Sequence, residues 1–312
     1  MTETIYVTAD GIYSDIDIYA CSIAYSELLR LEGKNAFAVV NTKFTESITK
    51  QLASLKADYL NQDAINWDEA TSIIVLDRSD TEGLKKNLDF TKITELYDHH
   101  FGYEKYWNDL LNDNAHIEKV GSCATLIWEQ AYKRGFSQKI SQESRLLLYA
   151  AIISNTLNFK ASVTTARDVV AAREIRNCTN IPDTFDADYF SSVSGSILKA
   201  PLESLLKDVK VVTISNHTFA IGQLEVWDAQ SIERELAVSC GEYLKGFENI
   251  PYFITIAQIA AGNNILICKS EELKKVLTTA LDVTWNGTDI ATTSRLLLRK
   301  EIIRELQTIK AL

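Results

Sequence analysis

The sequence predicts an α/β protein with a parallel sheet in its N-terminal part and a smaller α/β domain in its C-terminal part. Strand-like and helix-like patterns alternate along the first part of the chain, as in a parallel sheet with crossover helices. The apolar run 72–76 is typical of a central strand that is buried on both faces. A length of 312 residues is enough for two hydrophobic cores. We predict domains at 1–190 and 206–312, joined by a polar linker at 191–205.

The composition excludes several classes of partner. Apolar residues make up 46% of the chain and charged residues 24%, and the formal net charge is −10. A field of that sign repels nucleic acid and anionic membranes, so we expect no duplex nucleic-acid partner. No apolar run reaches the roughly 18 residues of a membrane span, and no signal peptide is visible. We therefore expect a cytoplasmic protein without a membrane partner.

The cysteines indicate a reducing compartment. There are five, with no Cys-x-x-Cys pair, and most have apolar neighbours. Such cysteines are usually small core residues. They are Cys21, Cys123, Cys178, Cys240 and Cys268.

The first strand and helix bring two acids to one point. A strand is predicted at 4–9, and apolar residues at helical spacing follow as far as Gly33. Asp15 and Asp17 stand where this helix begins. They can cap the helix and face solvent, or they can serve a site at the carboxyl edge of the sheet, where α/β proteins place their sites.

Two later strands also end in polar side chains. The run 72–76 precedes Asp77, and a strand at 93–96 leads into Asp98, His99 and His100. Because the carboxyl ends of parallel strands share one edge, these side chains can meet the two acids of the first helix. Several carboxylates with imidazole suit a binuclear site for Mn²⁺ or Mg²⁺. The two adjacent histidines alone could equally be a capping or surface pair.

Within this triplet the residues can differ in role. Adjacent side chains point in different directions, so one histidine can bind metal while the other faces a substrate. Asp98 can orient an imidazole.

Three helices are predicted before the linker, and they begin near Gly121-Ser122, Ser144 and Thr165. A glycine and a hydroxyl at a helix start can offer N–H groups to an oxyanion. Close helix packing explains the same residues equally well, so both interpretations stay open.

The C-terminal part alternates strands and helices and ends in a helix to about residue 306. Strands are predicted at 209–215, 218–224, 252–256 and 264–268, and helices at 229–243 and 270–277. The last helix and its approach carry basic residues that either close over a bound anion or form a solvated face. These are Arg295, Arg299, Lys300 and Arg304.

The motifs and their order resemble the DHH phosphoesterase superfamily, and in particular the manganese-dependent family II inorganic pyrophosphatases. Asp15-Ile16-Asp17 resembles the first motif, Asp77 the second, Asp98-His99-His100 the third and residues 152–160 the fourth. Arg299-Lys300-Glu301 resembles the late basic motif of the associated C-terminal domain.

The resemblance implies a site in the cleft between a DHH domain and a DHH-associated domain. It implies that Asp15, Asp17, Asp77 and His99 hold one or two ions of Mn²⁺, or of Mg²⁺ or Co²⁺. It further implies that His100 and Asp98 are catalytic. The implied substrate-binding residues are Lys160, Arg299 and Lys300.

Two positions depart from the family pattern. A histidine ligand of the family corresponds to Gly11, and an aspartate of its fourth motif corresponds to Asn155. The site therefore loses two ligands and one negative charge. We expect one tightly bound metal and a second that is weak or substrate-dependent, with Asp10 as a potential substitute for the missing histidine.

The sequence thus predicts a metal-dependent phosphohydrolase that acts on pyrophosphate or a related small phosphoanhydride or phosphoester. The alternative is a non-catalytic or weakly active phosphate-binding or nucleotide-binding protein with a degenerate metal site. The expected partner is a small phosphorylated substrate, and a homodimer is left open.

Overall fold

The computed structural model describes residues 3–84, 88–207, 209–214, 217–229, 250–287 and 289–309. The chain forms two compact units. The first comprises Met1–Phe159 and Val163–Asp186, and the second comprises Lys160–Ser162 and Ala187–Leu312. The segment 191–205, predicted as a linker, lies in two helices, Phe185–Lys199 (α8) and Pro201–Lys207 (α9). The helix predicted at 229–243 lies outside the described residues from position 230 onward.

The first unit contains the predicted parallel sheet, with six strands in the order β3-β2-β1-β4-β5-β6. All of its strand pairs are parallel, and Ile5 of β1 pairs with Ala36 on one side and with Ser72 on the other. The direction of winding reverses between β1 and β4, and such switch points are where open α/β sheets bind ligands. The strands are Ile5–Thr8 (β1), Ala36–Val40 (β2), Leu60–Asn61 (β3), Ser72–Leu76 (β4), Ile93–Asp98 (β5) and Ala115–Ile117 (β6).

Seven helices connect these strands or follow them among the described residues of the first unit. They are Ile16–Leu31 (α1), Lys50–Ala53 (α2), Thr81–Leu84 (α3), Glu104–Leu111 (α4), Cys123–Lys133 (α5), Gln142–Asn155 (α6) and Ala166–Cys178 (α7). Helix α1 is buried on nearly all sides, which agrees with its mostly apolar sequence. The sequence did not indicate α4, which buries Trp107 and places its indole N–H 2.7 Å from Ser79 O. This bond fixes the loop after β4.

The second unit contains a mixed sheet in the order β11-β12-β10-β9-β8-β7. Its strands pair antiparallel except for β8 with β9. They are Val209–Ile214 (β7), His217–Val226 (β8), Tyr252–Gln258 (β9), Asn263–Cys268 (β10), Val283–Trp285 (β11) and Ile290–Thr293 (β12).

Helices cover both faces of this second sheet. Ile254 of β9 packs in a cluster with Leu205 of α9, whereas its neighbour Phe253 packs in another cluster, with residues of Glu271–Ala280 (α10) and Arg299–Gln307 (α11). The alternation follows from the two-residue period of a strand.

Two expectations about the whole chain can be compared with the structure. None of the described helices combines the length and the apolar character that a membrane span needs. Four cysteines are free thiols, and Cys240 lies outside the described residues.

Candidate metal centre

The two strands at the switch point each end in an aspartate with left-handed backbone. Asp10 follows β1 with φ of 48°, and Asp77 follows β4 with φ of 58°. Aspartate tolerates this conformation better than most residues, yet it still costs about 1–3 kcal/mol. Such strain often accompanies functional sites, so this edge of the sheet is a candidate functional site.

Asp77 and His99 face each other with their potential ligand atoms. Asp77 Oδ1 lies 3.2 Å from His99 Nε2, and both side chains are almost completely buried. The other ring nitrogen, Nδ1, lies 3.2 Å from the carbonyl of Val120, which places a proton on Nδ1, so in the neutral ring Nε2 is the nitrogen with the lone pair. Asp77 Oδ1 makes no hydrogen bond within the described part of the chain. Two lone-pair atoms that face each other in this way can share a cation.

Asp98 holds the second histidine. Its Oδ1 lies 2.8 Å from His100 Nδ1 and accepts the backbone N–H of His99 at 2.7 Å. Asp98 is fully buried, whereas the His100 side chain is 52% exposed. The sequence analysis expected Asp98 to orient an imidazole, and the ring that it holds is that of His100. Ligand atoms of four residues lie within 4.8 Å of one another: Asp77, Asp98, His99 and His100.

The carboxylate of Asp17 is engaged by helix α5. Its Oδ2 accepts the Ser122 hydroxyl and the Cys123 amide at 2.9 Å, and its Oδ1 accepts the Ala124 amide at 2.9 Å. Asp17 Oδ2 lies 3.9 Å from His99 Nε2. Burial, and then the charge of Asp15, raise the pKa of Asp17 to about 6. Asp17 therefore caps α5 at the border of the cluster.

These contacts decide between the two interpretations of Gly121-Ser122. Gly121 N donates to both oxygens of Asp168, a buried residue, at 3.0 and 2.9 Å. A Cβ atom at Gly121 would lie 2.6 Å from Thr156 Cγ2. Two carboxylates of the protein thus occupy this helix start, and close packing explains the glycine.

Asp15 is the N-cap of α1. Its Oδ1 accepts the Ile18 N–H at 2.9 Å, so the predicted capping role is present. Burial raises the pKa of Asp15, while the Ile18 amide and the charges of His100 and Arg78 oppose the rise. Asp15 therefore interacts electrostatically with both His100 and Arg78.

The neighbouring acids disfavour the charged form of Asp77. Burial, and then the charges of Asp17 and Asp15, hold the pKa of Asp77 well above its usual range. A divalent cation at Asp77 Oδ1 would offset this repulsion. Carboxylate oxygen with one imidazole nitrogen is a donor set that Mn²⁺ accepts, so the residues fit such an ion.

The two altered positions have structural explanations of different kinds. A Cβ atom at Gly11 would lie 2.6 Å from Tyr13 O, so a histidine there would require the backbone to shift. The Gly11 carbonyl is also held by Asn41 Nδ2 at 3.2 Å and by Gln62 Nε2 at 3.3 Å. Asn155 is the last residue of α6, and its amide donates to Ala151 O at 3.3 Å.

The predicted substrate-binding residues lie in the second unit. Lys160 Nζ donates to Ile259 O at 2.7 Å and to Ala260 O at 3.3 Å. Arg299 and Lys300 are half-buried in the first turn of α11, where Arg299 N donates to Gln223 Oε1. Their roles remain predictions.

Two residues next to Asp77 were missed in the sequence. Arg78 Nη1 donates to Asp10 O at 3.1 Å, and the Ser79 hydroxyl donates to His100 O at 3.0 Å. Their position directly after an acid-ended strand was the signal that could have identified them. Both connect loops at the carboxyl edge of the sheet.

Comparisons with known proteins agree with the motifs. No family model matches the chain. The manganese-dependent inorganic pyrophosphatase of Bacillus subtilis (strain 168) is 25% identical over 276 residues, which cover 84% of this chain and 85% of that protein. A Bacillus licheniformis protein named a probable manganese-dependent inorganic pyrophosphatase is 25% identical over 270 residues, with the same coverage of both chains. The resemblance stated from the motifs is thus confirmed.

Solved structures show the same fold. A crystal structure of a family II inorganic pyrophosphatase candidate from Methanococcus jannaschii has a TM-score of 0.68 and 19% identity, and covers 97% of this chain and 98% of its own. An exopolyphosphatase-related protein from Bacteroides fragilis has a TM-score of 0.53 and 16% identity, with coverage of 98% and 90%. The predicted fold class is therefore confirmed.

Proposed function

We propose that this chain is a metal-dependent phosphohydrolase that acts on pyrophosphate or a related small phosphoanhydride or phosphoester. One observation carries the proposal. Asp77 Oδ1 and His99 Nε2 are buried ligand atoms 3.2 Å apart, and Asp77 Oδ1 makes no hydrogen bond among the described residues. The names of the relatives support manganese as the metal and pyrophosphate as the first substrate to test.

Asp77 and His99 would hold the ion, with Asp15 and Asp17 as further predicted ligands. A bound divalent ion polarises phosphoryl oxygens and lowers the pKa of bound water. The Val120 carbonyl accepts from Nδ1 of His99, so in the neutral ring Nε2 is the nitrogen that can bind a cation. The buried surroundings of Asp77 exclude water that would otherwise screen its charge.

His100 is the residue that can move a proton. Its Nδ1 bonds to Asp98, and its ring is half exposed, so Nε2 is left for the substrate. A protonated Nε2 can donate to a phosphoryl oxygen and stabilise the negative charge that develops there. Asp98 acts through His100 by fixing its orientation. Lys160, Arg299 and Lys300 stay predicted substrate-binding residues, and the predicted compartment stays the cytoplasm.

The test is release of inorganic phosphate in the presence of Mn²⁺, Co²⁺ or Mg²⁺. The substrates are pyrophosphate, tripolyphosphate and small phosphomonoesters. We expect metal-dependent turnover that His99→Ala and Asp77→Ala reduce by at least about 100-fold. His217→Ala in the second unit and Asp109→Ala on the exposed face of α4 are matched controls that should keep the activity. Equal turnover in the His99 variant and the wild type on every substrate would refute the proposal.

The binding-protein alternative has its own support. A histidine ligand at Gly11 would clash with the present backbone, and Asn155 has a neutral side chain. A protein that binds Mn²⁺ and phosphate in titration calorimetry, yet releases no phosphate from any substrate, would favour this second function.

A further inference from the structure

Arg78 connects the two strand ends at the switch point of the parallel sheet. It directly follows Asp77 at the end of β4, and its Nη1 donates to the carbonyl of Asp10, two residues after the end of β1, at 3.1 Å. Its guanidinium is thus held at the edge where an open α/β sheet binds its ligand.

Most donors of this guanidinium remain available. An arginine has five N–H groups, and the bond to Asp10 O is the one hydrogen bond that Arg78 makes within the described ranges. The side chain is half-buried. Gly83 lies beside it: a Cβ atom there would be 3.3 Å from Arg78 Nη1. The carboxylate of Asp80 borders the same point, with Oδ2 at 3.1 Å.

The residues near Arg78 are mostly acidic. Asp77 and Asp98 each carry a buried oxygen that accepts no hydrogen bond in the described chain, and Asp15 and Asp17 stand at the border of the cluster. These acids repel a phosphate, so an anionic substrate needs more positive charge than one ion held by Asp77 and His99 provides.

The loop after β1 leaves no space for a side chain at position 11 in its present conformation. A Cβ atom at Gly11 would meet Tyr13 O at 2.6 Å, so the loop after β1 would have to shift to bring a further metal ligand from that position. The same loop instead presents the Asp10 carbonyl, which positions Arg78. The cationic side chain of Arg78 thus bonds to the loop in which a ligand side chain at position 11 would clash.

We propose that Arg78 binds the phosphoryl group of the substrate beside the metal held by Asp77 and His99, and that its guanidinium supplies charge in place of a second tightly bound ion. The planar guanidinium can donate two parallel hydrogen bonds to phosphate oxygens, which lysine cannot. This inference rests on the proposed function and adds to it a residue that selects phosphate.

The experiment is titration calorimetry of inorganic phosphate into the full chain loaded with Mn²⁺. Arg78→Ala should weaken phosphate binding by about 10- to 150-fold, the range for a hydrogen bond to a charged group. Its Mn²⁺ affinity should stay within about 3-fold of wild type, and millimolar guanidine hydrochloride should restore part of the phosphate binding. Arg78→Lys should bind phosphate with intermediate affinity. Arg173→Ala, which removes an exposed arginine of α7, is the matched control and should change nothing.

The outcomes separate this inference from the proposed function. Unchanged phosphate binding in Arg78→Ala overturns the inference, as does a loss of Mn²⁺ binding and thermal stability that guanidine does not restore. If the wild type binds phosphate through Arg78 but releases none from any substrate, the inference holds and the enzymatic function fails. If the wild type binds no Mn²⁺, the proposed metal site fails, and phosphate binding by the same variants without metal decides about Arg78. A wild type that binds no phosphate under either condition overturns the inference.

Discussion

Gly121 and Thr156 lie so close together that there is no space for a side chain at Gly121. A Cβ atom at Gly121 would lie 2.6 Å from Thr156 Cγ2, and the Thr156 hydroxyl is itself fixed by a 2.6 Å bond to Ile152 O. This contact joins the start of α5 to the end of α6. The carbonyl of Val120, one residue before Gly121, lies 3.2 Å from Nδ1 of the His99 ring.

We therefore predict that Gly121→Ala destabilises the protein by about 1–3 kcal/mol through overpacking. Thr156→Ser removes the opposing methyl group and keeps the hydroxyl, so it should recover part of this loss in the double variant. Urea unfolding of the four proteins gives the coupling energy. Gly195→Ala is the control, because nothing lies within 4 Å of that Cβ position in α8. Strictly additive effects at 121 and 156 would contradict the contact.

Asp77→Asn should separate stability from metal binding. The carboxylate is buried among other acids and Oδ1 accepts no hydrogen bond in the described structure, so removal of its charge should stabilise the metal-free protein by about 1–2 kcal/mol. Asparagine also tolerates the left-handed backbone. Mn²⁺ affinity in calorimetry should fall by at least about 10-fold. Asp109→Asn, at an exposed ion pair, should alter neither the stability nor the Mn²⁺ affinity. An Asp77→Asn protein that is less stable than the wild type in EDTA would contradict the proposed repulsion between the buried acids.

The metal-free protein should lose stability as the pH rises. The pKa of Asp17 is raised to about 6 and that of Asp77 is also raised, whereas an unfolded aspartate titrates near 3.9. The folded state thus binds more protons, so this contribution is complete below about pH 4 and disappears as the pH passes 6. Urea unfolding in EDTA between pH 5 and 8 should show the decline, and Asp77→Asn should show a smaller one. An equal slope in both proteins would exclude Asp77 as a cause.

Gly11→His should fail to restore a metal ligand. The new Cβ atom would meet Tyr13 O at 2.6 Å, so we expect a loss of about 1–3 kcal/mol and no additional Mn²⁺ bound. Ile12→His is the matched control, because the neighbouring side chain is 63% exposed and can be exchanged within about 0.5 kcal/mol. A Gly11→His protein as stable as Ile12→His, with one more bound Mn²⁺, would show that the loop adapts.

Local patterns were enough to predict the centre of the site. The strand ends at Asp77 and Asp98 follow from apolar runs, and the parallel rule then brings them to one edge. The engagement of Asp17 could not be predicted, because its partner Ser122 is 105 positions away. The obstacle at Gly11 depends on a carbonyl orientation that no residue type encodes.

The serine-rich segment at 191–196 shows a different limit. Its polar composition is typical of a linker, yet it forms part of α8, where Ser194 is buried and its hydroxyl accepts the N–H of Trp227 at 2.6 Å. Tertiary hydrogen bonding thus overrides the local preference of serine. Helix α4 was missed for a related reason, since only Trp107 and Leu111 of its residues are buried.

The order of strands in the first sheet also constrains how the chain can fold. Strand β1 pairs with β4, and Thr4 already contacts Thr71 across 67 positions of sequence. At a synthesis rate of about 5–20 residues per second, the edge of β1 stays unpaired for several seconds until β4 has been synthesised. Over that interval the apolar strand 5–8 has only β2 as an early neighbour, so the nascent chain exposes the edge that will later form the switch point.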